Sequence, residues 1–202
     1  NVGVIAHTPL TIEPLFTATL KHDDGTPVLR MWEWERVRRM WYQIDAWLPD
    51  DATMLRVRIR VKNVNAHEIP MWAWSNIAVP ETPDTRVLVP SDQAYAHGYQ
   101  TGDALSLRKM PIIHGVDESY PTNFQSSAGH FYHIDRKRQS WISALDREGK
   151  GLVQTSTARQ FGRKLFVWGM CTGGRHWQEF LSEPGHTYIE IKDGNTSTQM
   201  KS

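Results

Sequence analysis

The chain has 202 residues, 40% of them hydrophobic and 22% charged, so it can bury one substantial core and does not resemble a disordered polymer. Its 23 basic and 22 acidic residues leave a net charge of +1, which excludes a global field for attracting nucleic acid or anionic membranes. The single cysteine, Cys171, excludes an internal disulfide framework and fits a cytoplasmic protein. No apolar run approaches the roughly 18 residues that span a bilayer.

Alternation of apolar and polar residues predicts short antiparallel strands along the first half of the chain. The clearest run is 55–62, in which Leu, Val, Ile and Val alternate with Arg, Arg, Arg and Lys. Turn residues such as Asp24 and Gly25 separate the candidates. Strands are predicted at 2–6, 15–20, 28–36, 40–48, 55–62 and 69–79.

The second half continues the same pattern with one short exception. Strands are predicted at 86–89, 129–134, 140–145, 151–155, 164–168 and 187–192, and a short helix at 174–181. The stretch 99–128 is predicted to form long loops, and 193–202 a frayed polar tail. We therefore predict one domain, 1–202, an all-β antiparallel sandwich with at most one or two short helices.

Tryptophan is abundant, with 9 residues, and two groups are predicted to share strand faces. Trp32 and Trp34 lie on one side of their strand, and Trp72, Trp74 and Asn76 lie on one side of theirs, because side chains alternate. The intervening residues Met71 and Ala73 are predicted to be core. Indole rings beside an amide suit a sugar, and the alternative is that the rings only fill the core.

One carboxylate is a candidate general base. Glu190 is predicted to share a strand face with Tyr188 and Lys192, opposite the apolar Ile189 and Ile191. A carboxylate in a cleft can accept a proton from a substrate hydroxyl, and the alternative is a solvated charge on an edge strand. The basic stripe of strand 55–62 is predicted to be a solvated face.

The 9 histidines do not predict a metal centre. His130 and His133 are three residues apart on a predicted strand, which places them on opposite faces, and no pair has the helical spacing of a zinc site. We predict that the protein needs no metal and no cofactor.

Several stretches together are similar to a bacterial domain family of unknown function, whose members are often fused to tetratricopeptide repeats and belong to the galactose mutarotase-like group. The resemblance covers almost the whole chain. It is carried by the stretches 3–9, 24–35, 71–80, 164–169, 174–177 and 188–191.

This resemblance implies a large two-sheet supersandwich whose concave face binds sugar, of which this chain would be an incomplete portion from a longer protein. In aldose epimerases a strand glutamate takes the proton of the anomeric hydroxyl and a histidine protonates the ring oxygen. Glu190 resembles that glutamate by its late strand position. Trp72 stands where the histidine is expected, so either His7 or His97 replaces it or the epimerase chemistry is absent.

We therefore expect a carbohydrate-binding or carbohydrate-active domain, with a mono- or oligosaccharide as its partner and no nucleic acid or membrane. If it is an enzyme, Glu190 and either His7 or His97 form the acid–base pair. The alternative is a non-catalytic protein-interaction module that serves tetratricopeptide repeats of the same polypeptide. The expected saccharide contacts are Trp32, Trp34, Trp72, Trp74, Asn76 and Tyr188.

Overall fold

The computed structural model describes residues 13–98, 105–183, 185 and 187–198. Strands account for 45% of the described residues and helices for 7%, so the prediction of an all-β protein is confirmed. The chain folds as two compact units, an N-terminal unit, Asn1–Met71, and a C-terminal unit, Trp72–Ser202. The predicted strand 2–6 lies outside the described residues, and the expectation of a single domain stays a prediction.

The N-terminal unit is a four-stranded antiparallel sheet with the strands in sequence order. Its pairing continues from strand to strand without a bulge, so residues directly opposite each other share a face. The first hairpin closes at Gly25, whose φ of +87° lies in the left-handed region that glycine adopts readily. The strands are β1 (Phe16–Lys21), β2 (Pro27–Glu35), β3 (Met40–Trp47) and β4 (Arg56–Asn63).

The C-terminal unit contains three antiparallel sheets and one α-helix among its described residues. The six-stranded sheet consists, in spatial order, of β5 (Ile77–Pro80), β15 (Tyr188–Gly194), β14 (Gly162–Val167), β11 (Ala128–Tyr132), β7 (Gln93–Gly98) and β8 (Ser106–Lys109). The three-stranded sheet consists of β13 (Gly151–Thr155), β12 (Trp141–Leu145) and β6 (Arg86–Leu88). The remaining elements are β9 (Ile112–Ile113), β10 (Val116–Asp117), a 3-10 turn (Pro121–Asn123) and helix α1 (Thr172–Leu181).

The core of the C-terminal unit lies between the six-stranded and three-stranded sheets. Leu165 of β14 and Ile189 and Ile191 of β15 are buried in one apolar cluster with Ile142 and Ala144 of β12. Two antiparallel sheets that share one apolar layer form a sandwich. Because side chains alternate along a strand, the intervening residues of β14 and β15 project from the opposite side, called the outer face below.

The predicted strand 69–79 is wrong over 69–76. Only Ile77–Pro80 forms a strand, and Trp74 makes an isolated bridge to Gly194. Pro70 has no N–H to donate to a ladder, and the division between the two units falls between Met71 and Trp72. Met71 is 50% exposed, so its assignment to the core is wrong as well.

Two other expectations need correction. The stretch 99–128 is not only loop, because β8 adds an edge strand to the six-stranded sheet, and 99–104 lie outside the described residues. The polar tail begins later than predicted, because β15 continues to Gly194 and Asp193 is buried. No helix in the described part of the chain is long and apolar enough to cross a bilayer.

Candidate functional site

The outer face of the six-stranded sheet carries three charged side chains on two neighbouring strands. Lys192 and Glu190 of β15 form an ion pair with 2.9 Å between Nζ and Oε2, and their side chains are only 14% and 15% exposed. Lys164 of β14 lies directly opposite Lys192 in the register and is 3% exposed. Two ammonium groups and one carboxylate are therefore held in a shielded environment, where charge interactions are stronger than in water.

Aromatic rings surround this charged group. The Lys164 ammonium lies 4.8 Å from the centroid of the Phe131 ring and 5.3 Å from that of Phe166. Farther along, Trp168 makes edge-to-face contacts with Phe166 and with Tyr188, at centroid distances of 4.8 and 5.9 Å. The outer face therefore combines flat apolar rings with hydrogen-bonding charges, a composition typical of small-molecule binding sites.

The environment changes the proton affinity of two of these groups. Burial, together with the nearby charge of Lys192 and against the opposing charge of Glu190, lowers the pKa of Lys164 to about 7. Burial, with a contribution from the charge of Glu190, raises the pKa of Tyr188 above its ordinary value. Lys164 therefore exchanges its proton near neutral pH, as a general acid or base must.

Trp74 lies on this same side of the sheet, at the end where β14 begins and β15 finishes. Its indole ring rests against the backbone of Gly194, where an added Cβ would come within 2.2 Å of ring carbons, and it meets the Phe131 ring edge-to-face at 6.1 Å. The indole N–H donates to the Thr196 hydroxyl at 3.0 Å. Trp74 is thus anchored at the margin of the outer face.

The other two residues of the predicted tryptophan group are more exposed. The bridge between Trp74 and Gly194 has the same offset as the pairing of β5 with β15. Trp72 and Asn76 lie outside this pairing, and both are exposed. The shared side of the three residues stays a prediction, because the strand used to predict it does not extend over them.

The candidate catalytic histidine that the structure describes, His97, does not reach Glu190. In the sheet register, His97 lies opposite Gly129, which lies opposite Phe166, which lies opposite Glu190. Three strand spacings of about 4.8 Å place His97 about 14 Å from Glu190 along this row, too far for both to act on one anomeric centre. His7 lies outside the described residues.

Trp32 and Trp34 belong to the N-terminal unit and share one face of its sheet, as predicted. Trp34 makes an edge-to-face contact with Trp41, with centroids 5.8 Å apart, and Trp32 stacks on Phe16 at 5.9 Å. The register places the basic stripe of β4 on this same face.

Lys164, Phe166 and Trp168 were not singled out by the sequence analysis. The sequence pattern could have indicated them. Leu165 and Val167 are the apolar positions of β14, so the residues that alternate with them project from the outer face. Among the described residues, no group of His, Cys, Asp and Glu side chains is arranged to hold a metal ion.

The C-terminal unit is thus a β-sandwich with an aromatic, charge-bearing face outside its core. The chain belongs to the DUF5107 family, a domain of unknown function whose match covers residues 1–202. A crystal structure of a TPR-domain containing protein from Parabacteroides distasonis ATCC 8503 has the same fold, with a TM-score of 0.82 and 22% sequence identity. The similarity covers 96% of this chain and 32% of that one, so the chain spans about a third of its structural relative.

Proposed function

We propose that the C-terminal unit binds a mono- or oligosaccharide on the outer face of its six-stranded sheet. The observation that carries the proposal is the shielded ion pair of Lys192 and Glu190 beside the rings of Phe166 and Tyr188. Sugar C–H groups pack on aromatic rings, while sugar hydroxyls donate to a carboxylate and accept from ammonium groups. The resemblance to the galactose mutarotase-like group supports a sugar as the ligand.

An unsatisfied donor also supports a polar ligand on this face. The indole N–H of Trp168 is buried and has no hydrogen-bond partner among the described residues. A buried donor without a partner costs about 1–3 kcal/mol. A saccharide hydroxyl that reached this N–H would recover part of that free energy, which would add to affinity.

The binding test compares the wild type with Glu190→Gln, Lys192→Met and a matched control. Glu148 and Lys150 form another ion pair of the C-terminal unit, with 2.6 Å between Nζ and Oε2, but both are exposed. Titration with mono- and oligosaccharides, followed by NMR, should show affinity lowered about tenfold by Lys192→Met and unchanged by Glu148→Gln. Equal affinity for the wild type and Lys192→Met would remove this face from consideration.

Acid–base chemistry on the bound sugar is a second candidate, favoured by the position of Lys164. Because Phe166 lies directly opposite Glu190, Lys164 is the diagonal cross-strand neighbour of that carboxylate. Glu190 would accept the proton of the anomeric hydroxyl, and Lys164, with its pKa of about 7, would donate to the ring oxygen. In this aldose epimerase-like arrangement Lys164 replaces the histidine whose place Trp72 occupies.

Glu190→Gln separates binding from turnover. The amide keeps the shape of the side chain but does not accept a proton, so we expect sugar to bind while anomer interconversion, followed by polarimetry, falls about a hundredfold or more. If the wild type binds sugar but does not interconvert its anomers, the catalytic proposal is wrong and only the binding function remains.

A protein-interaction function is also supported by one specific observation. Helix α1 buries Gly174 and Gln178 but exposes Trp177, Phe180 and Leu181, with Phe180 73% exposed. Exposed aromatic groups on one helix mark a contact surface, and the structural relative is named as a TPR-domain protein. Phe180→Ser should weaken binding to tetratricopeptide repeats of a family member, measured by calorimetry, without changing saccharide affinity.

A further inference from the structure

The sheet of the N-terminal unit has one face that carries both indole rings and cationic side chains. This face, called the aromatic–arginine face below, follows from the uninterrupted register of β1 to β4. Four cross-strand rows define it, namely Trp34, Trp41 and Lys62; Phe16, Trp32, Gln43 and Arg60; Ala18, Arg30, Asp45 and Arg58; and Leu20, Val28, Trp47 and Arg56.

The face has a large surplus of positive charge. Five of its paired side chains are cationic, and Asp45 is the one carboxylate among them. Asp45 is fully buried and accepts two hydrogen bonds from Arg30, at 2.7 and 2.9 Å, and one from Arg58 at 2.8 Å. The face is therefore locally cationic, although the net charge of the whole chain is only +1.

The Asp45 site shows how this face holds a carboxylate. Arg30 binds it bidentately, and the Arg58 guanidinium also lies over the Trp47 ring at 5.6 Å from the centroid. The hydrogen bond from Arg30 is the main cause that lowers the pKa of Asp45 well below its ordinary range. Arg56 and Arg60, in the neighbouring rows, are exposed, so their guanidinium groups face solvent.

The rings of this face are also partly available to a ligand. Phe16 is 60% exposed and Trp41 is 45% exposed. Exposed aromatic side chains interleaved with cations at strand spacing, about 7 Å between alternate residues, form a surface suited to an extended polymer with repeated negative charges.

We propose that the aromatic–arginine face binds an acidic polysaccharide, one that carries carboxylate groups along its chain. Guanidinium groups bind carboxylates through paired hydrogen bonds, and partly exposed rings accept the C–H faces of the sugar units. The saccharide identity of the partner rests on the proposed function, whereas its negative charge rests on this face alone.

A polysaccharide fits this face better than single-stranded nucleic acid, whose bases stack on open ring faces. One face of Trp32 is covered by Phe16, with the two rings inclined at 24°, and the Trp47 ring is covered by the Arg58 guanidinium. The ring surface that remains suits small C–H contacts.

The test uses the whole chain, a galacturonate hexamer as the acidic probe, and its fully methyl-esterified form as the uncharged probe. Arg56→Gln combined with Arg60→Gln removes two exposed charges without touching the Asp45 network. The matched control, Arg36→Gln combined with Arg38→Gln, removes two exposed charges from the turn between β2 and β3. We expect the first pair to lower hexamer affinity at least about tenfold and the control pair to lower it less than about twofold.

A second variant, Trp41→Ala, should also weaken hexamer binding while the circular dichroism spectrum is retained. The proposal is overturned if the esterified hexamer binds as tightly as the acid, if the control pair loses as much affinity, or if a thymidylate hexamer binds more tightly. Glu190→Gln should leave hexamer binding unchanged. A wild type that binds the hexamer but no neutral sugar would therefore count against the outer-face site only.

Discussion

Glu81 is a buried carboxylate that follows β5 and is bound to helix α1. It accepts a hydrogen bond of 2.8 Å from the amide of Gln178, and its other carboxylate oxygen has no partner among the described residues. Burial raises the pKa of Glu81 from its ordinary value of 4.5 to about 7, although Thr187 and Arg175 oppose the shift. This residue therefore links the pH of the solution to the stability of the fold.

The sign of the effect follows from the raised pKa. Between pH 4.5 and 7 the folded state keeps a proton that the unfolded chain has released, so this stabilisation is complete below pH 4.5 and is lost as pH rises through 7. We expect Glu81→Gln to remove about 3 kcal/mol of pH dependence, measured by urea unfolding from pH 4 to 8. Glu179→Gln, an exposed carboxylate of α1, should retain the wild-type slope. Parallel slopes for the wild type and Glu81→Gln would contradict the assignment.

At this scale the sequence predicts the side of a strand better than the surroundings of a residue. The alternation around Glu190 correctly separated Tyr188, Glu190 and Lys192 from the buried Ile189 and Ile191. It could not show that Lys164 lies opposite Lys192, because that contact depends on the register of two strands about 28 positions apart along the chain.

At the scale of elements, the ends of β14 and β15 are held together by the Trp74 indole. Gly162 and Gly194 are paired in the register, and an added Cβ at Gly194 would lie 2.2 Å from Trp74 ring carbons. An added Cβ at Gly162 would instead lie 2.1 Å from the backbone oxygen of Thr196. Close approach of the ring to one strand, and of the backbone to the other, requires glycine at both positions.

This difference predicts a specific rescue. Gly194→Ala should destabilise the protein by about 1–3 kcal/mol through overpacking, and Trp74→Ala should relieve much of that cost because it removes the obstructing ring. Gly162→Ala should be equally harmful but should not be rescued by Trp74→Ala, since backbone is the main obstacle there. Chemical denaturation of the single and double variants gives both coupling energies. Equal coupling in the two cycles would be inconsistent with the proposed role of Trp74.

The same comparison shows where pattern-based prediction of elements fails. Regular alternation over 55–62 corresponds to β4 within one residue. Residues 69–76, also predicted as strand, form none, and Ala73 and Ser75 instead bond individually through their backbone groups, with Asn195 and Asp193 as partners. Side-chain periodicity predicts which side of the chain is apolar. It does not predict how many backbone hydrogen bonds the segment forms with a neighbouring strand.

At the scale of the whole chain, the all-β composition could be predicted but the division into two units could not. No linker rich in Gly, Pro or Ser marks the boundary between Met71 and Trp72, and strands continue at similar spacing on both sides of it. The two units differ in how many apolar side chains they bury. Among the described residues of the N-terminal unit, Val28 is the one buried apolar side chain, whereas the C-terminal unit has a contiguous apolar cluster.

Native-state hydrogen exchange should therefore distinguish the two units. Strands β3 and β14 are matched, because each lies inside a sheet with hydrogen-bonded neighbours on both sides, so their backbone bonding is comparable. The burial of their side chains differs, because Leu165 and Val167 of β14 are almost fully buried while Ile44 of β3 is half-buried. Opening free energies follow buried apolar contacts, so we expect the amides of β3 to exchange at least about a hundredfold faster than those of β14, a difference of about 2.7 kcal/mol. Equal protection of β3 and β14, with the same dependence on added urea, would instead mean that the two units open in a single cooperative step.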